Sequence, residues 1–124
     1  MPYKSIKFKC DNMTLNGMLH LPESVDLPPL VVGSHGLEGS MESSKQQLLA
    51  SLLPDIGIAF FRFDHRGCGC SDGDFSFDTS LDKRERDLVC AVEHLHNLQL
   101  TDSNRLMLFG SSLGGATVIS AWSR

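Results

Sequence analysis

Leu106-Met107-Leu108-Phe109-Gly110-Ser111-Ser112-Leu113-Gly114-Gly115 is the stretch on which the reading of this chain turns. Leu106 to Phe109 is a short all-apolar run and reads as a buried strand. From Leu113 the chain turns helical and runs to Arg124 without a capping Gly or Pro. Between them, Gly110-x-Ser112-x-Gly114 has the spacing of a strand-to-helix turn that presents a serine. Glycines two residues to either side keep side chains from colliding across the turn. The hydroxyl then stands above the amino end of a helix, and the Leu113 amide is left free to bind an oxyanion. The competing reading is a Gly/Ser-rich connection without chemistry. A phosphate-binding loop is nearly matched, but Ala116 stands where Lys is required.

Outward from this turn, the chain repeats strand and helix. Leu30 to Ser34 and Ile58 to Phe63 read as buried strands. A helix is expected from about Glu42 to Leu53, with Leu48, Leu49, Leu52 and Leu53 facing inward. Leu88, Ala91, Val92 and Leu95 give helical spacing within Leu81 to Leu98. At the amino end, Tyr3 to Cys10 alternates, Asp11-Asn12 makes a turn, and Leu15, Gly17, Leu19 and Leu21 share one face of a second strand. The reading is α/β: an antiparallel hairpin, then parallel strands with helices on both faces. Residues 1–124 form one domain. In such sheets the chemistry lies at the carboxyl ends of the strands, here residues 35–40, 64–75 and 110–114.

Composition narrows the function classes. The formal net charge is −4, with 11 Lys and Arg scattered among 15 acids, so no basic surface for nucleic acid is expected. No apolar run reaches the ~20 residues of a membrane span, and Met1 to Lys7 contains no signal-peptide core. Four cysteines point to free thiols in a reducing cytoplasm. Cys68-Gly-Cys70 lacks the spacing of a zinc clip, and Gly67-x-Gly69 has Asp72 in place of the third glycine of a dinucleotide fingerprint. No metal or cofactor is expected.

In the first loop, an amide is placed to face Ser112 across the sheet; Leu37, just past Gly36, is the choice. His35 is read as pinning that turn. In the second loop, Asp64 and Arg66 are expected to pair, and His65 to hold the loop or line a substrate path. His94 and His96 are taken as solvent-side residues.

Together, His35-Gly-Leu-Glu-Gly-Ser40, Phe63-Asp64-x-Arg66-Gly67-x-Gly69-x-Ser71-Asp72-Gly73 and Gly110-x-Ser112-x-Gly114-Gly115 resemble the α/β-hydrolase superfamily. The likeness is to its cinnamoyl/feruloyl-esterase-like, acylglycerol-lipase-like and serine-aminopeptidase-like branch. Phe75 with Thr79, and Arg84 to Asp87, fit the same pattern. The resemblance implies Ser112 as nucleophile, Leu37 and Leu113 amides as oxyanion hole, and a small-molecule ester or amide as substrate. It also implies a triad acid and histidine after the nucleophile. The residues after Ser112 include no Asp, Glu or His. The chain is therefore expected to be the amino-terminal part of the fold, inactive alone, and to self-associate or need a complementing chain. A non-catalytic module and an amidase or peptidase stand as alternatives.

Overall fold

A computed structural model describes residues 3–122. Strands β1 (Tyr3–Cys10) and β2 (Met13–His20) form the antiparallel hairpin. Asp11 and Asn12 turn it with φ of 51° and 69°, the left-handed pair that a tight hairpin turn demands. Three short strands follow: β3 (Leu30–Ser34), β4 (Ala59–Phe63) and β5 (Leu106–Gly110). They join the hairpin in one sheet of order β1-β2-β4-β3-β5. β3 runs parallel to both β4 and β5, and β2 pairs antiparallel with β4.

Helices cover both faces. α1 (Ser44–Leu52) lies on one side over Val31 and Phe60. α3 (Leu81–Leu98) and α4 (Leu113–Trp122) lie on the other, with α2 (Phe75–Asp78) a short turn before α3. Strand alternation explains the split: Val32, Phe61 and Phe63 join the larger core with Phe8, Leu15, Leu19, Leu88 and Leu95.

The inner face of α1 differs from expectation. Gln46 and Ala50 are buried, with Leu49 and Leu53 packed beside them, while Leu48 and Leu52 are exposed. Positions 46, 49, 50 and 53 share one face at 3.6 residues per turn; 48 and 52 fall on the other. His94 is half-buried and stacks on Phe8 with ring centroids 5.7 Å apart, so it is not a solvent-side residue. Cysteine usage is also corrected. Cys10 and Cys90 form a disulfide between β1 and α3, with Cα atoms 5.9 Å apart; Cys68 and Cys70 are free. With that pair bonded, the cysteines no longer argue for a reducing compartment. Among the described residues, no helix is long and apolar enough to cross a membrane.

Candidate active site

Ser112 sits between β5 and α4 with φ of 58°. A serine in the left-handed region is sterically costly and is held there only by its surroundings. Those surroundings are two glycines. A Cβ on Gly110 would overlap the Gly114 carbonyl, and a Cβ on Gly114 would overlap the Ser34 carbonyl oxygen at the end of β3. The turn is thus clamped against the neighbouring strand, which pushes the Ser112 side chain to the surface, where it is exposed. Ser111 is engaged elsewhere: its Oγ accepts from Lys45 Nζ at 3.4 Å.

Leu113 opens α4, so its N–H is among the helix's first amides, which have no intrahelical acceptor and carry the positive end of the helix dipole. Leu37 lies in the turn after β3. A Cβ built on Gly36 would stand 3.7 Å from Ser112 Cβ, so this turn and the elbow are neighbours. The Gly36 carbonyl accepts from Gly39 N–H at 3.1 Å and meets His35 Nδ1 at 2.7 Å. Carbonyl and N–H of one trans peptide point opposite ways. Tying the Gly36 oxygen into the turn therefore aims the Leu37 N–H out of it.

His35 and His65 are both buried at this end of the sheet and both fully engaged. His65 N–H donates to His35 Nε2 at 3.0 Å, so His35 carries its proton on Nδ1, donated to Gly36. His65 Nδ1 lies 3.3 Å from Asp87 Oδ2, and its Nε2 lies 2.8 Å from Ser34 Oγ. The carboxylate can only accept, so Nδ1 carries the proton and Ser34 donates to Nε2. Ser34–His65–Asp87 thus has the connectivity of a catalytic triad, but all three side chains are fully buried and no substrate reaches them. Burial pushes the His65 pKa down to about 3, against the opposing pull of Asp87, and burial lowers that of His35 too. Neither ring is free to take a proton from Ser112.

The expected Asp64–Arg66 pair does not form. Arg66 donates to Asp87 through Nε at 2.7 Å and its own N–H at 2.9 Å, and to Asp11 through Nη2 at 2.9 Å. Asp64 instead accepts from the Met41 and Cys70 amides at 2.7 and 3.0 Å. The reason lies in the partner helix: α3 brings Asp87 under the loop, a carboxylate that adjacency in sequence does not reveal. Positive φ at Gly67, Gly69 and Gly73 carries the chain round Asp64.

The sequence pattern that includes Arg84 assigns it no role at the site. Arg84 is buried on α3, donating from Nε to Thr117 Oγ1 at 3.2 Å and from Nη2 to the His35 carbonyl. Thr117 in turn donates to the Leu113 carbonyl at 2.8 Å. The signal available was a charged residue at the edge of an apolar helix stripe. Asp102 caps the turn into β5, accepting from Asn104 N–H at 2.9 Å and Arg105 Nε at 2.8 Å, at the end of the sheet opposite Ser112. A concavity of about 520 Å³ is also at that far end, between Leu30, Val92, His96 and Leu106; one of about 350 Å³ adjoins the Leu37 turn, between Glu38, Cys68 and Phe75.

A mixed sheet with a left-handed serine at a strand–helix turn, beside a glycine turn from the neighbouring parallel strand, has the geometry of a nucleophile elbow. The family model described as serine aminopeptidase, S33 matches residues 28–124. The chain belongs to this family of α/β-hydrolases. YfhR of Salmonella typhimurium is 36% identical over 91 residues, which are 73% of this chain and 29% of that protein. Est1E from Butyrivibrio proteoclasticus, solved with ferulic acid bound, superposes with TM-score 0.86 at 30% identity, covering 94% of this chain and 46% of that one. An α/β serine hydrolase without a lid from Xanthomonas campestris gives TM-score 0.83 at 27% identity, over 99% and 57% of the two chains. The chain therefore spans between 29% and 57% of the length of these relatives.

Proposed function

We propose that this chain supplies the nucleophile and oxyanion hole of a serine hydrolase acting on carboxylic esters. The observation that carries the reading is the left-handed Ser112 at an elbow whose glycines admit no side chain. Ser112 Oγ attacks the ester carbonyl, its proton passes to a base, and the alcohol leaves to give an acyl-serine; water then releases the acid. The Leu37 and Leu113 amides receive the charge that develops on the carbonyl oxygen. The base and its orienting acid come from outside these 124 residues, because His35 and His65 are buried and bonded at both nitrogens. Likeness to Est1E with ferulic acid bound supports an ester, with an aromatic acyl group within range. The name of the matching family favours an amide or peptide bond as the second reading.

Completion of the fold belongs to the same proposal. β5 is an edge strand, and Met107, Ile119 and Trp122 are exposed beside it. An unpaired edge flanked by apolar residues invites pairing; a complementing segment or a second copy covers it.

The test is turnover of p-nitrophenyl acetate and butyrate, beside aminoacyl-p-nitroanilides, by the full-length polypeptide. A burst of p-nitrophenol and loss of turnover in Ser112→Ala by roughly 10³-fold or more are expected. Anilide cleavage exceeding ester cleavage would move the assignment to a peptidase. Turnover indifferent to Ser112→Ala would end the serine-hydrolase reading.

A further inference from the structure

We infer that Arg84 is a positioning residue for the oxyanion hole, its guanidinium bracing the turn that carries Leu37 against the first turn of α4 that carries Leu113. The inference rests on the hydrolase reading of Ser112. Its geometry is independent of that reading.

Three elements meet at this side chain. From α3 it reaches the His35 carbonyl with Nη2 and Thr117 with Nε, and Thr117 closes on the Leu113 carbonyl. Fixing the His35 oxygen sets the plane of the 35–36 peptide. The His35 ring then fixes the Gly36 oxygen and with it the 36–37 peptide, which bears the Leu37 N–H. On the other side, the bond to Thr117 sets the first turn of α4, which bears the Leu113 N–H. One planar fork therefore governs both donors, and a guanidinium does this where a flexible ammonium does not.

Packing alone does not account for a cation here. Arg84 is 1% exposed, makes no ion pair among the described residues, and its Nη1 has no hydrogen-bond partner. The buried carboxylate of Asp87, on the same helix, is bonded by Arg66 and His65. An unpaired buried charge is destabilising, and an apolar residue of similar volume would serve a structural role better. A fixed positive charge behind the two amides does have a use: it favours negative charge in front of them, and it acts at the transition state rather than on bound substrate.

The experiment compares Arg84→Met, Arg84→Ala and Arg84→Lys in the full-length polypeptide. Three readouts are taken on each: ester kinetics, the rate of fluorophosphonate labelling, and NMR relaxation dispersion at the Leu37 and Leu113 amides. R84M is expected to lower kcat and the labelling rate about tenfold or more, short of the ~10²–10³-fold cost of losing an oxyanion donor itself. KM should change little, and both amides should broaden. R84K should recover part of the loss, and guanidinium ion should restore labelling in Arg84→Ala. Where R84M does not fold, R84K carries the test, since its single nitrogen replaces the two that Arg84 places on Thr117 and the His35 carbonyl. Folded variants with wild-type kcat, labelling and unbroadened amides would overturn the inference. Broadened amides in a protein whose wild type neither labels nor turns over would uphold the brace and remove the hydrolase reading instead.

Discussion

Two adjacent glycines at the elbow do different work, although the sequence shows them as a pair. Gly114 lies against the end of β3, where a Cβ would meet the Ser34 and His35 carbonyls; a Cβ on Gly115 would stand 3.5 Å from its nearest neighbour, an ordinary contact. Gly114→Ala should therefore cost on the order of 3 kcal/mol or more, because rigid backbone must move. Gly115→Ala should stay within about 1 kcal/mol of wild type, helped by the better helix propensity of alanine. Urea unfolding of the two variants checks this, and equal losses would show that the clamp against β3 is misplaced. At this scale the sequence was informative about Ser112, because the elbow is a local motif whose spacing reports its own backbone. It placed Arg84 in a family pattern but gave it no role, because its partners come from the turn after β3 and from α4. It was misleading about Asp64 and Arg66, which are near neighbours in sequence but take partners from other elements.

Among the elements, α3 acts as the post to which the site loops are tied. Its Asp87 holds His65 and Arg66, its Arg84 holds His35 and Thr117, and its Cys90 holds the hairpin. Asp11 at the hairpin tip adds a surface link, with Arg66 and then Arg86 drawing its carboxyl below the usual range. The hydrophobic stripe of α3 was legible as period 3.6. Its polar attachments were not, since they depend on which loops the sheet order places above the helix. The His65 tie has a pH signature. The folded pKa of about 3 lies below the unfolded value of 6.5, so the unfolded chain binds the extra proton between these limits. Stability is full above pH 6.5 and falls as pH drops toward 3, with a slope approaching about 1.4 kcal/mol per pH unit. His35, also lowered by burial, adds in the same direction. His65→Asn, which keeps a donor toward Asp87, should be less stable at pH 7 but show a shallower acid slope. Denaturant midpoints between pH 7 and 4.5 decide it: parallel curves for both proteins would place the titration elsewhere.

For the whole molecule, the hairpin, the three parallel strands and the helices on both faces were all readable, because alternation and helical period survive in short segments. The sheet order was not, since β4 and not β3 pairs with the hairpin, and nothing local encodes that choice. The unpaired edge at β5, with Met107, Ile119 and Trp122 exposed, gives the isolated 124-residue polypeptide a reason to associate. A few hundred Å² of bare apolar surface at ~25 cal/mol per Å² is several kcal/mol, comparable with the ~5–15 kcal/mol stability of a domain. Light scattering at tens of micromolar should show oligomers, and a clean monomer would speak against an edge that needs covering. If Ser112 is the nucleophile, reaction of the full-length polypeptide with a fluorophosphonate, followed by peptide mapping, will locate the adduct there. The adduct should map to Ser112 in wild type and in Ser111→Ala and be absent from Ser112→Ala; an adduct that survives Ser112→Ala, or no adduct in any form, would contradict the account.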